Sequence, residues 1–392
     1  MRLKKAIFIN RAPFDKLELN FDDSNLFLLS GVNGKGKTTI LSYIVDAFYE
    51  LGKKGYYNEF ASNHDKYYRI SSGLYSLDNH VASVVYLRFV TIGGKENDYI
   101  DIRGSITEEK YYELLGIDNP IPFSAISTNL EKYNNSKYWK NHSEKDSREV
   151  FSAELMTYFP AYRYEQPYYL NTPYRPDLTF TKDMGFVGYL DNPIEVTTDF
   201  PQIANWMMDV VLDNHVYKGN SSEVLTDINS IFSLILKSKA KQAVRIGIGQ
   251  RYAGAERIAV ISTETNSLLY PSIFLMSSGE MALVAEFIEL LKQADALRKS
   301  PNDVSGIVLI DEVDKHLHIR LQKEILPLLF AKFPKVQFIV TSHAPFLSLG
   351  LAENSQVIKS AIFDMDCNGC PCEVENNALY QEVYQMMVSE ND

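Results

Sequence analysis

An eight-residue loop, Gly31-Val32-Asn33-Gly34-Lys35-Gly36-Lys37-Thr38, most narrows what this chain can become. It follows an apolar run, Leu26–Ser30. It precedes a stretch in which Ile40, Leu41, Ile44, Val45, Phe48 and Leu51 recur at helical spacing. Strand, glycine-rich loop and helix in that order form the G-x-x-x-x-G-K-[ST] phosphate-binding pattern. The glycines let backbone N–H groups curl round a polyphosphate, and the helix N-terminus adds partial positive charge. Lys37 would reach the β- and γ-phosphates, and the Thr38 hydroxyl would hold Mg²⁺. Gly52 is expected to stop the helix. With both flanking elements in place, a chance Gly-rich turn is the poorer explanation.

Three further segments fit the same chemistry. Gly306–Ile310 is an apolar strand ending in Asp311 and Glu312. Such strand ends lie at the sheet edge where α/β proteins bind ligands. Asp311 would act on Mg²⁺, and Glu312 would orient and deprotonate the attacking water. Val336–Val340 ends in Thr341-Ser342-His343, so His343 could sense the γ-phosphate. Met276-Ser277-Ser278-Gly279-Glu280 opens a long helix, Ser278–Arg298, where serine can cap the helix or an anion can bind. Alone, each has a bland reading: a strand-end acid, a polar cap, a helix cap. Behind a phosphate loop the functional reading gains weight.

In this order the four segments resemble the head of ATP-binding-cassette (ABC) ATPases. The resemblance is strongest to the branch with RecF, the structural-maintenance-of-chromosomes (SMC) heads and the OLD-type ATPases. GVNGKGKT resembles its Walker A, IVLIDE its Walker B, MSSGE its signature and TSHAPF its switch-histidine segment. Asp314-Lys-His-Leu-His318 resembles the D-loop stretch of anti-phage defence ATPases. The departures are Met276 for Leu, Ile319 where Pro is common, and Lys35 for a small residue. Gln166 is a candidate Q-loop residue on composition only. The resemblance implies an ATPase using ATP and Mg²⁺. Asn33, Gly34, Lys35, Gly36, Lys37, Thr38, Thr39 and Asp314 would lie on nucleotide, with Asn10 and Arg11 carried over from related heads. Thr38 and Asp311 would hold the metal, and Glu312 and His343 would act in catalysis. Ser277, Ser278, Gly279 and Glu280 would meet nucleotide across a head-to-tail homodimer or higher homo-oligomer.

The implied fold is α/β: a mixed or parallel core sheet with antiparallel N-terminal strands and an inserted, mainly helical subdomain. The strands Lys5–Asn10, Leu17–Phe21 and Leu26–Ser30 open it, with a turn at residues 22–25. The expected division is 1–51 and 241–363 for the head, 52–240 for the insertion and 364–392 for a tail. Within the insertion, Val81–Thr91 and Tyr99–Arg103 read as a hairpin, 131–148 as a loop and 199–237 as helical. Seventeen of 25 tyrosines lie between Tyr56 and Tyr174, which suits a small core with its rim or a stacking surface. After residue 240, Ala243–Gly249 and Arg257–Ser262 read as paired strands, and Leu317–Phe330 as a helix broken by Pro327.

Composition limits function. A net charge of −11 excludes a generic nucleic-acid coat, though not a local basic patch. Three cysteines in 392 residues fit a reducing, cytoplasmic setting. Cys367, Cys370 and Cys372 lack a fourth thiolate for a closed zinc site and read as free thiols in a turn. No run approaches the roughly 18 apolar residues of a membrane span. No sustained heptads suggest long chromosome-type arms. About 40 residues after the switch segment leave little room for a fused nuclease; Asp364-Met-Asp366 reads as a strand end. The favoured expectation is therefore a regulatory ATPase beside a separately encoded effector, such as a nuclease or toxin, in anti-phage defence. The alternatives are a RecF- or SMC-like repair ATPase, or a protein in which nucleotide is purely structural.

Overall fold

The computed structural model describes residues 1–56, 70–71, 76–91, 93–163, 192–197, 200–217, 221–240, 242–249 and 258–389. Gln166 and much of the Pro- and Tyr-rich stretch lie outside the described residues.

The strands are β1 (Arg2–Arg11), β2 (Phe14–Asn20), β3 (Leu26–Ser30), β4 (Ser83–Val90), β5 (Glu96–Arg103), β6 (Asn135–Trp139) and β7 (Glu154–Phe159). They continue with β8 (Val244–Ile248), β9 (Ile258–Ser262), β10 (Leu268–Tyr270), β11 (Ser305–Ile310), β12 (Val336–Ser342), β13 (Ser360–Asp364) and β14 (Cys370–Cys372). They form three sheets: β2-β1-β4-β5-β6, β10-β9-β8, and β14-β13-β3-β12-β11-β7. In the third, β13, β3, β12, β11 and β7 are mutually parallel and β14 runs antiparallel to β13. The other two sheets are antiparallel.

The helices are α1 (Lys37–Gly55), α2 (Glu108–Leu115), α3 (Ser127–Tyr133), α4 (Glu144–Ala153), α5 (Phe200–Tyr217) and α6 (Ser221–Ile235). After them come α7 (Lys237–Ala240), α8 (Ser278–Ala296), α9 (Leu326–Phe330), α10 (Pro345–Glu353) and α11 (Ala378–Ser389).

The central strands β3, β11 and β12 are mostly apolar because both faces of their sheet are covered. Leu26, Leu28, Val308, Ile310, Phe338 and Val340 face a core shared with α5, α6 and α8. Their alternates Phe27, Leu29, Ile307, Leu309 and Ile339 face a second core, shared with α1 and the five-stranded sheet. A third core joins the far face of that sheet to α2 and α3 through Ile7, Tyr86, Ile100, Tyr111 and Leu130. The loops after β3, β11 and β12 consequently open at one edge. Among the described residues, no helix is long and apolar enough to cross a membrane.

Several local expectations need correction. Gly52 does not end α1, which runs on to Gly55. Gly52 and Gly55 in this last turn are buried, and packing overrides the ~1 kcal/mol helix penalty of a glycine. The polar stretch 131–148 is not a loop: it contains β6 and the start of α4. β6 is a short edge strand paired only to β5, with Ser136 and Trp139 buried. A capping box between Ser143 and Asp146 starts α4. Before Pro327 the chain makes a π turn at Leu321–Ile325, and the proline sits in the first turn of α9, where its missing N–H costs little. Residues of the 52–240 stretch also supply β4–β6 to the five-stranded sheet and β7 to the edge of the central sheet. β7 pairs with β11 from Ser305↔Glu154 to Ile310↔Phe159.

Candidate active site

The phosphate loop leaves β3 at Gly31 and enters α1 at Lys37. Gly34 and Gly36 both take left-handed φ, at 82° and 79°. Gly36 has a second constraint: a Cβ there would lie 2.3 Å from the Phe14 ring. Lys37 Nζ folds back to donate to the carbonyls of Gly31 (2.7 Å) and Val32 (2.9 Å). It also lies 3.4 Å from His343 Nδ1, so the switch histidine meets the loop lysine. Burial pulls the Lys37 ammonium below the usual lysine range, and Asp366, Asp311, Asp314 and Glu312 pull it back up.

The carboxylates meet the loop at the first turn of α1. Thr38 Oγ1 donates to Asp311 Oδ2 at 2.8 Å. The other oxygen of Asp311 accepts from Thr341 Oγ1 at 2.6 Å, and the same hydroxyl accepts from Glu312 N at 2.8 Å. Thr341 is fully buried and was not singled out from sequence; a hydroxyl following the apolar run Phe338–Val340 is the signal that marks it. Glu312 takes left-handed φ, 48°, and its side chain is only partly buried. An oxygen set of one hydroxyl and one carboxylate, held in contact, suits a hard divalent cation such as Mg²⁺, which keeps several waters. Thr38 and Asp311 therefore fit the metal expected of them.

The signature segment divides into exposed and structural parts. Ser277 caps α8, with its N and Oγ both donating to Glu280 Oε2 at 3.0 and 2.7 Å. Glu280 is 3% exposed and also pairs with Lys239 at 2.8 Å, so its carboxylate is spent on the cap instead of facing a ligand. Ser277 and Ser278 are exposed. Gly279 is pressed against the D-loop stretch, and a Cβ there would lie 2.7 Å from the His316 carbonyl oxygen. Beside Ser277 lies a cavity of about 200 Å³ lined by Lys237, Lys239, Glu280, His318 and Arg320; it flanks the signature and not the phosphate loop.

Other expected residues sit differently. Asn10 Nδ2 donates to the carbonyls of Asp78 and Val81, and its Oδ1 accepts from Asp78 N. Arg11 is 1% exposed, pairs with Asp101 at 3.1 Å and lies over the Tyr43 ring. Both side chains make their hydrogen bonds within the fold around the five-stranded sheet, away from the contacts of the phosphate loop. Lys35 pairs with Asp366 at 3.4 Å, and Asp366 Oδ2 accepts from Val32 N at 3.0 Å. The strand β13 ends at Asp364, and the next residues brace the phosphate loop. Asn33, Gly34 and Thr38 are exposed, while Thr39 and Asp314 are half-buried. The thiols of Cys367, Cys370 and Cys372 are free.

Known proteins resemble this arrangement. An AAA-domain model matches residues 9–183, and a second, whose description names the AbiEii toxin and a type IV TA system, matches 211–349. The chain is 23% identical over 389 residues to a retron Vc95 probable ATPase of Vibrio cholerae, covering 88% of this chain and 71% of that protein. It is 48% identical over 56 residues to the Septu protein PtuA of Bacillus mycoides, covering 14% of this chain and 8% of that protein. An SMC head domain from Thermotoga maritima superposes with a TM-score of 0.44 at 17% identity, covering 93% of this chain and 95% of that one. AAA-domain models thus match both sides of the chain, and the Walker A, Walker B and switch segments, which resemble those of ABC-type ATPases, are in mutual contact.

Proposed function

We propose that this chain binds ATP with Mg²⁺ between its phosphate loop and the Ser278–Gly279 turn of a second copy, and that its ATP state governs a separately encoded effector in anti-phage defence. The observation that carries the ATPase part is the convergence of Lys37, Thr38, Asp311 and His343, with Thr38 Oγ1 2.8 Å from Asp311 and Lys37 Nζ 3.4 Å from His343. The retron and Septu names of the relatives support the defence part.

In this reading Lys37 exchanges its two carbonyl partners for phosphate oxygens. The loop N–H groups line the same phosphates. Thr38 and Asp311 would hold Mg²⁺, which would neutralise phosphate charge. Glu312 accepts a proton from water as the water oxygen bonds to the γ-phosphorus, and the bond from that phosphorus to ADP breaks. His343, beside Lys37, reports whether the γ-phosphate is present. Turnover is slow and regulatory, since a switch needs a long-lived ATP state. The ATPase head takes in the strands of 83–139 and 154–159 as well as 1–51 and 241–372, and the separable insertion narrows to α5–α7.

The test is purified Glu312→Gln. It should bind ATP, accumulate as a dimer and release no phosphate beyond background. Normal turnover would remove Glu312 from the mechanism. A co-purifying effector whose toxicity depends on Lys37 would support the defence role, whereas turnover stimulated by DNA alone would contradict it.

A further inference from the structure

Walker B and the signature helix are joined inside the protein by a residue that belongs to neither. Two turns into α8, Glu286 is 1% exposed, and its carboxylate pairs with Arg163 at 2.7 Å. Arg163 is 6% exposed and sits just past β7, in a turn closed by its own N–H on the Pro160 carbonyl at 3.0 Å. The rest of its guanidinium is spent on backbone. Nη1 donates to the carbonyls of Asp311 (2.5 Å) and Pro160 (3.1 Å), and Nη2 donates to the carbonyl of Glu312 (3.0 Å).

These bonds fall on both sides of the residue expected to act on water. The Glu312 N–H is held by Thr341 Oγ1 and its carbonyl by Arg163. Between the two clamps Glu312 takes its left-handed φ of 48°, which costs a non-glycine residue free energy and persists only where surroundings impose it. A planar guanidinium can make these bonds at once; a lysine ammonium has three donors and no fixed fork. The same cation carries the contact to Glu286, on the helix whose first turn presents Ser278.

We propose that Arg163 is a positioning residue for hydrolysis: it fixes the peptide of Glu312 and, through Glu286, ties that peptide to the signature helix, so that a second head seated on Ser278 and Gly279 is felt at Glu312. The proposal rests on Glu312 acting as the base and on the signature serving a second head.

The experiment measures ATP affinity, KM, kcat and thermal stability for Arg163→Lys, Glu286→Gln and the two combined, beside wild type and Glu312→Gln. Arg163→Lys should lower kcat roughly 100-fold, the scale of a misplaced catalytic group, with KM and ATP affinity changed less than about threefold. Glu286→Gln should lower kcat by at least about tenfold, and the combination should be no worse than Arg163→Lys alone, as for residues acting through one contact. A kcat within about threefold of wild type in folded Arg163→Lys, or losses of affinity that match the loss of kcat, would overturn the positioning role. Additive losses in the combined variant would overturn the link to α8. Should Arg163→Lys fail to fold, Arg163→Met with Glu286→Leu removes both buried charges together and is held to the same kcat criterion. Turnover by Glu312→Gln would sink the base assignment itself, whereas an inactive Glu312→Gln beside a fully active Arg163→Lys would sink only the present proposal.

Discussion

Thr341 carries no charge yet holds the two acidic residues of the site, one through its side chain and one through its backbone. Its hydroxyl donates to Asp311 and accepts from Glu312 N. Thr341→Val keeps the shape and deletes the hydroxyl, leaving two buried polar groups short of a partner. The expected loss of stability is about 1–3 kcal/mol, read from urea unfolding, with weaker Mg²⁺-dependent nucleotide binding. No change in either would show that the hydroxyl is idle. Lys37 is poised differently. It is buried and rests on the Gly31 and Val32 carbonyls, so it already occupies the mouth of the loop. Lys37→Met should lower ATP affinity about 10- to 100-fold, the worth of one or two charge-assisted hydrogen bonds, measured with a fluorescent nucleotide. Unchanged affinity would remove Lys37 from the phosphate site. Residue types in sequence pointed to Lys37, Thr38, Asp311, Glu312 and His343, because a phosphate loop and strand-end acids demand those chemistries. They could not show that Arg11 and Glu280 are used up inside the fold, since the partners of Arg11 lie 32 and 90 residues away along the chain.

Elements were legible where burial leaves a periodic trace. β3, β11 and β12 read as continuous apolar runs because both faces are covered. β6 was not legible: its five residues are mostly polar, and pairing with β5 and the burial of Trp139 hold them in a strand. The same region gives a pH prediction. His142 packs against Trp139, and neither ring nitrogen has a hydrogen-bond partner among the described residues. Burial pulls its imidazole down to about 4, Asp146 opposes, and Lys54 and Lys95 add to the lowering. As pH falls from about 6.5 toward 4, the unfolded chain takes up a proton that the folded chain refuses, so stability drops across that window. His142→Phe should flatten the difference between unfolding midpoints measured near pH 7 and near pH 5. An unchanged pH slope would place the loss elsewhere. At the start of α8, Gly279→Val adds atoms where even a Cβ would lie 2.7 Å from the His316 carbonyl oxygen. Binding of ATP to the phosphate loop should survive, while ATP-induced association and turnover fall away; light scattering with and without ATP reads this. Association at the wild-type level would mean that the turn is not an interface.

At the scale of the molecule, the phosphate loop after β3 and the loops after β11 and β12 share one sheet edge. The exposed serines stand at the start of α8, which packs on the sheet's other core. The acidity of the chain, −11, weighs against a DNA-coating role and towards a protein partner. The central claim is that one nucleotide site is made by two copies. Mixing Lys37→Ala with Ser278→Arg tests it directly. In a shared site, a mixed dimer has one wholly disabled site and one built from the intact phosphate loop of one chain and the intact signature of the other. A 1:1 mixture should then recover about a quarter of wild-type phosphate release, since half the dimers are mixed and each carries one good site. Phosphate release by the mixture no greater than the average of the two variants alone would contradict the account.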